Sequence, residues 1–181
     1  MGFGKNIEGI DYKVLDERVM RGSAGIMLML AFIAFTNGFI LREFIVIPYI
    51  AGFLALNFIF GIFISSKFAP TILISQLIVK KQTPIYIGAI QKKFAWSLGL
   101  SLSTAIFILS LFLLQDATYF EPVCMLCMLC LICIGLLYLE TAFGICVGCK
   151  LYDAALKLKL FKAPDEKQNC MGDSCESNTE N

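Results

Sequence analysis

The chain has 181 residues, of which 58% are hydrophobic, with a net charge of +1 at pH 7 and a mean hydropathy of +0.77. Soluble domains sit near roughly 45–50% apolar, so a water-free core alone does not account for this surface. No basic run of nucleic-acid type occurs, and the count of 0 histidines excludes His-ligated haem, His-based acid–base catalysis and Cys/His nucleophile pairs.

Residues 1–21 read as a polar cytoplasmic lead-in that ends in a short interfacial helix. Four apolar stretches follow, at about 22–41, 44–64, 94–114 and 122–145. A bilayer core about 30 Å thick needs roughly 20 apolar helical residues, and each stretch comes close to that. Pro48 falls in the first turns of the second, where proline is best tolerated. Between the second and third, Phe68–Val79 is apolar but only about 18 Å long as a helix. It is too short to cross and is predicted to lie in the interface, with Ser65 or Ser66 as a start signal, Lys80-Lys81 as a stop and Thr83-Pro84 as a breaker. The third and fourth stretches are joined around Gln115–Glu121. The expected fold class is an all-α integral membrane protein, its four transmembrane helices arranged as two hairpins with an interfacial amphipathic helix between them. Residues 22–149 form the membrane domain, 150–162 a short amphipathic cytoplasmic segment and 163–181 a disordered tail.

Charge sets the expected orientation. Of the 15 basic residues, all but Arg42 precede the first stretch, lie between the second and third, or follow the fourth. The positive-inside rule makes that side, and both termini, cytoplasmic. The first stretch is too long for a signal-peptide core and lacks a small-residue exit, so it is expected to remain as a helix.

The 8 cysteines fall into three groups. Cys124, Cys127, Cys130 and Cys133 recur every third residue in the fourth stretch. Each such step falls about 60° short of a helical turn, so Cys124 and Cys133 point to opposite sides and cannot wrap one cluster. They read as small hydrophobes or as a thiol ladder. Cys133 lies about 20 Å from Cys146 along a helix, which leaves a gap in any such ladder. Cys146-Val147-Gly148-Cys149 is the distinctive pair: C-x-x-C brings two sulfurs within disulfide or chelating range and favours a reactive thiolate. Gly148 is expected to let the backbone turn and expose the thiols, and Gly144 to bend or end the span. Redox or sulfur-transfer chemistry, metal capture and a packing role all remain open for the pair. Cys170 and Cys175 are candidate further metal ligands or exchange partners, since a tail of about 20 residues explores roughly 25 Å. No cofactor is predicted.

Glu140 is the acid inside the extended apolar run of the fourth helix and a candidate functional residue. It lies about 27 Å from the outer end, near the inner interface, where Arg18 or Arg21 is its expected partner.

Several segments together resemble a family of small bacterial membrane proteins defined by domain of unknown function 4395. They are Asp16-Glu17-Arg18-Val19-Met20-Arg21, Phe68-Ala69-Pro70, Lys92-Lys93-Phe94-Ala95 and Glu140-Thr-Ala-Phe-Gly-Ile-Cys146-Val-Gly-Cys149. The resemblance spans Asp16 to Leu158. It implies that Asp16, Arg18, Arg21, Glu140, Cys146 and Cys149 are signature residues, and it supplies no activity. It also implies a bacterial inner membrane setting.

The leading expectation is a membrane-edge dithiol in which Cys146 attacks or accepts sulfur, Cys149 resolves, and Glu140 moves a proton. A non-enzymatic scaffold or accessory subunit and a metal-binding protein are the alternatives. The bilayer and a thioredoxin-like or sulfur-transfer protein are the expected partners, a homo-oligomer is compatible, and nucleic acid is not expected.

Overall fold

A computed structural model of the protein describes residues 3–7, 10–115 and 120–159. Strand β1 (Lys5–Ile7) pairs antiparallel with β2 (Ile10–Asp16), and β2 pairs antiparallel with β3 (Tyr86–Gly88), in register Val14 to Gly88 and Asp16 to Tyr86. The chain is therefore mostly helical rather than purely α. The helix expected at the end of the 1–21 lead-in is not a separate interfacial one: residues 17–21 open the first long helix, and what precedes them is the strand β2. Its partner, β3, lies some seventy residues downstream in sequence, so local pattern alone does not announce the pairing.

Helix α1 (Glu17–Phe35) starts at Asp16, whose Oδ1 accepts from Arg18 N at 3.0 Å, and runs into a π-helical turn at Thr36–Ile40. Helix α2 (Val46–Ile59) ends in a second such turn, Phe60–Ile64. Helix α3 (Pro70–Val79) begins with proline at its tolerated first position. Helices α4 (Ala89–Gln115) and α5 (Phe120–Phe143) follow, then α6 (Val147–Lys157). Four helical segments are long and apolar enough to cross a membrane: Glu17–Ile40, Val46–Ile64, Ala89–Leu114 and Val123–Phe143. This is the pattern of a multi-pass membrane protein. The third begins at Ala89 rather than near 94, so it takes Lys92 and Lys93 into the helix. The fourth ends at Phe143 rather than 145. Most of the loop predicted at Gln115–Glu121, and the tail at 163–181, lie outside the described residues.

The most extensive helix contacts are α2 on α4 and α1 on α5, across the two expected hairpins rather than within them. Trp96 sits where these layers meet, edge-on to Phe58 at 5.3 Å and to Phe3 at 5.6 Å between ring centroids.

Helix α3 packs on α1 with an inverted pattern. Its buried residues are Thr71, Ser75 and one apolar side chain, Ile72, whereas Leu73, Ile74, Leu77 and Ile78 are exposed. Ser23 Oγ and Thr71 Oγ1 are 2.7 Å apart, and Thr71 donates through both N and Oγ1 to Asn57 Oδ1 at 3.1 and 3.0 Å. Thr71 thus spends its hydroxyl proton on Asn57, leaving Ser23 as donor to Thr71. Ser75 Oγ donates to Val19 O at 2.7 Å. A satisfied polar seam inside and an apolar face outside suit a surface bathed in hydrocarbon rather than water.

Candidate functional site

Helix α5 cannot continue past Phe143 because Gly144 adopts φ +68°, the left-handed region that disfavours side chains. Arg21 Nη2 donates to the terminal carbonyls of Thr141 and Ala142 at 3.1 and 3.3 Å, which caps the end of the helix with a cation. The chain then turns through Ile145 into Cys146, whose extended backbone (φ −88°, ψ 101°) starts α6.

Cys146 is therefore the N-cap residue of α6 and Cys149 lies in its first turn. Each of the two thiols shifts the other's ionisation. Both are free thiols, 1% and 2% exposed. Gly148 does not make the turn. A Cβ there would lie 2.6 Å from Ala95 Cβ and 2.7 Å from Ala95 Cα. Its role is to let α6 press onto α4, which closes the thiols in rather than opening them, contrary to the expectation from sequence. Tyr152 on α6 packs against Phe94 on α4 at 5.5 Å, supporting the same contact.

The contact brings Lys92 to the thiols. Its side chain is 0% exposed, it pairs with Glu140 (15% exposed), and its Nζ lies 3.9 Å from Cys146 Sγ. Glu140 thus pairs with Lys92, not with Arg18 or Arg21. The helix that carries Lys92 starts a turn earlier than expected and delivers the ammonium inside the bundle. The hydrogen bond from Cys149, with the Lys92 charge, pulls the Cys146 thiol from 9.0 to about 7 against the opposing effect of burial. The positive end of α6 acts in the same direction. Cys149, as the donor to Cys146 and itself buried, is pushed up. The two sulfurs are thereby unequal: Cys146 holds the negative charge and Cys149 the proton.

A cavity of about 110 Å³ opens beside this group. Phe58, Trp96, Leu137 and Cys133 form part of its apolar wall, and Glu140 and Cys146 lie at its polar end.

The other predicted residues stand apart. Asp16 caps α1 and also accepts from Ile85 N at 3.4 Å, while Glu17 N donates to Ile85 O at 2.8 Å. Arg18 donates to Gln82 Oε1 at 3.2 Å, and Arg21 lies 3.8 Å from Glu17. These contacts tie the start of α1 to the segment leading into β3. Along α5, Cys124 is exposed, Cys130 buried, and Cys127 and Cys133 are between. Among the described residues no group of three or more Cys, Asp or Glu is placed to hold a metal ion; Cys170 and Cys175 lie outside them.

Lys92 is the residue that sequence reasoning missed. Its signal was the helical phase: Trp96, Gly99 and Ser103 follow it at helix-face spacing, and Trp96 and Ser103 are buried.

No curated protein and no solved structure matches the chain. The model of one protein family, described as Domain of unknown function (DUF4395), matches residues 15–157. That match takes in every member of the cluster just described, and the chain belongs to the family defined by this domain.

Proposed function

We propose that Cys146 and Cys149 are a working dithiol for thiol–disulfide exchange or persulfide transfer. The observation that carries this reading is the Lys92 ammonium, fully buried and 3.9 Å from the sulfur of Cys146 at the start of α6, with Cys149 in the same first turn. A buried cation is costly to keep, and its position beside a thiol gives that cost a chemical use. Cys146 attacks a disulfide or accepts a sulfane sulfur. On a mixed disulfide Cys149 then attacks Cys146 Sγ, the 146–149 disulfide forms and the partner leaves as its thiol; on a persulfide the same attack releases hydrosulfide, unless an acceptor thiolate first takes the outer sulfur and leaves Cys146 as thiolate. Glu140, through Lys92, is the proton carrier. The distribution of basic residues supports a cytoplasmic position for the pair in a bacterial inner membrane. Because the thiols are 1% and 2% exposed, a thioredoxin-like or sulfur-transfer protein engages them only when α6 lifts from α4.

Trapping tests this. In native membranes, Cys149→Ser should accumulate a mixed disulfide or persulfide on Cys146, seen by mass spectrometry of the tryptic peptide. If neither Cys149→Ser nor Cys146→Ser retains an adduct and both support wild-type growth, the dithiol reading fails. The burial of both cysteines in the main core cluster favours one other reading, a scaffold in which the pair packs the start of α6. Under that reading Cys146→Ala and Cys149→Ala lower stability and leave thiol chemistry in the membrane unchanged.

A further inference from the structure

The cavity has a mouth. Leu98, Leu136 and Leu151 line it and are 39%, 38% and 51% exposed. It therefore opens on the apolar outer surface of the bundle, beside helices long enough to span a bilayer. Its inner wall is aromatic and aliphatic, with Trp96, Phe58 and Leu54, and its polar end carries Glu140 and Cys146. A molecule that enters by this route comes from the hydrocarbon phase. It presents an apolar body to Trp96 and Phe58 and a polar atom to Glu140 and Cys146. The volume, about 110 Å³, is below that of an apolar cavity that holds one benzene, about 150 Å³. A ring therefore enters edge first and only in part, with its outer substituents and hydrocarbon tail left in the mouth.

We infer that this cavity admits the ring of a lipid-soluble quinone, which takes up the electron pair of the Cys146–Cys149 dithiol. The inference rests on the dithiol reading with the exchange run in the opposite direction: a reduced thioredoxin-like partner gives its electron pair to the 146–149 disulfide, and the quinone takes that pair from the dithiol. A dithiol that closes to a disulfide releases two electrons, and its oxidant must be able to reach the sulfur. The apolar walls disfavour charged or strongly hydrated oxidants. A quinone is a neutral two-electron, two-proton acceptor that dissolves in the bilayer. The thiolate of Cys146 forms a bond to a ring carbon. Cys149, giving up its proton, then attacks Cys146 Sγ; the S–S bond forms, the S–C bond breaks, and its electron pair stays on the ring. One of the two protons on the resulting hydroquinone comes from Cys149. The second comes from water through the Lys92–Glu140 pair, whose carboxylate borders the cavity.

The experiment uses the full chain, reduced, in lipid nanodiscs, with a ubiquinone bearing one isoprene unit as the probe. Quinone reduction is followed by its ultraviolet band, and the 146–149 disulfide by peptide mass. Expected is one quinone reduced per disulfide formed, with no reaction in Cys146→Ser. Leu98→Trp and Leu136→Trp narrow the mouth at exposed positions and should leave the melting temperature unchanged. They should slow quinone reduction on the order of tenfold. Oxidation by diamide, a small water-soluble reagent, runs in parallel. If diamide closes the disulfide and the quinone does not, the quinone inference is overturned and the dithiol reading stands. If neither oxidant closes it, both fall. If the quinone reacts equally fast in wild type and in both mouth variants, its route is not this cavity and the inference is overturned.

Discussion

Lys92 Nζ stands 3.9 Å from Cys146 Sγ, near the start of a helix that continues into a long apolar run. The lysine arrives from α4 and the sulfur from the turn after α5, so the pairing is made by tertiary packing alone. It gives the dithiol a polarity that neither cysteine has by itself.

Removing the cation should raise the ionisation midpoint of Cys146. The thiolate forms as pH rises through about 7, so alkylation by iodoacetamide should fall as the protein is acidified below that point. In Lys92→Met the hydrogen bond from Cys149 remains and the charge is lost. A rise of about one unit leaves about a tenth of the thiol ionised at pH 7 instead of about half, a roughly fivefold slower alkylation. The pH profile checks it. A profile that keeps its midpoint in Lys92→Met would show that the lysine does not act on the sulfur.

The Lys92–Glu140 pair predicts non-additive stability. Glu140→Gln leaves a fully buried ammonium without its counter-ion and should cost about 3 kcal/mol, the low end for a broken buried pair because the carboxyl keeps 15% exposure. Lys92→Met should cost a similar amount. The double variant Lys92→Met/Glu140→Leu should be more stable than the sum of the singles implies, since it removes both charges. Thermal unfolding in detergent measures the coupling; strict additivity would mean that the pair is not an interacting unit.

Gly148→Ala should separate α6 from α4. The added Cβ meets Ala95 Cβ at 2.6 Å and Ala95 Cα at 2.7 Å, and overpacking of this kind costs about 1–3 kcal/mol. Ala95→Gly in the same chain should recover part of the loss, and only part, because the clash with the Cα persists. Iodoacetamide should reach Cys149 faster in Gly148→Ala than in wild type, which peptide mass analysis reads directly. Unchanged reactivity would mean that α6 stays seated.

The spans were legible because each is a long apolar run, and hydropathy needs no knowledge of partners. The break at Gly144 was legible too, since glycine after a helical run is a stop signal. The sheet was not, because β2 and β3 depend on residues far apart in sequence. Cys146, Cys149 and Glu140 stood out as unusual residue types in apolar company, and the structure brings them together. Lys92 did not stand out. Beside Lys93, which is exposed, it reads as an ordinary flanking charge, and only the phase of α4 separates the two. Gly148 was misread for a related reason: C-x-x-C spacing cannot show that a neighbouring helix lies against the glycine.

The N-terminal end of α1, from its cap Asp16 to Arg21, touches both segments that carry the cluster. Asp16 and Glu17 hold Ile85, a few residues before Lys92, and Arg21 holds the carbonyls of Thr141 and Ala142, a few residues before Cys146. Three stretches of chain, early, middle and late in synthesis, must meet before the sulfur gains its cation. A nascent polypeptide halted after the third crossing has neither cysteine of the pair. One whose last crossing has not docked carries two ordinary thiols that are mostly protonated at neutral pH. On the dithiol reading proposed above, reactivity is switched on only by the completion of assembly, which would spare a half-built protein from cross-linking to its neighbours during insertion.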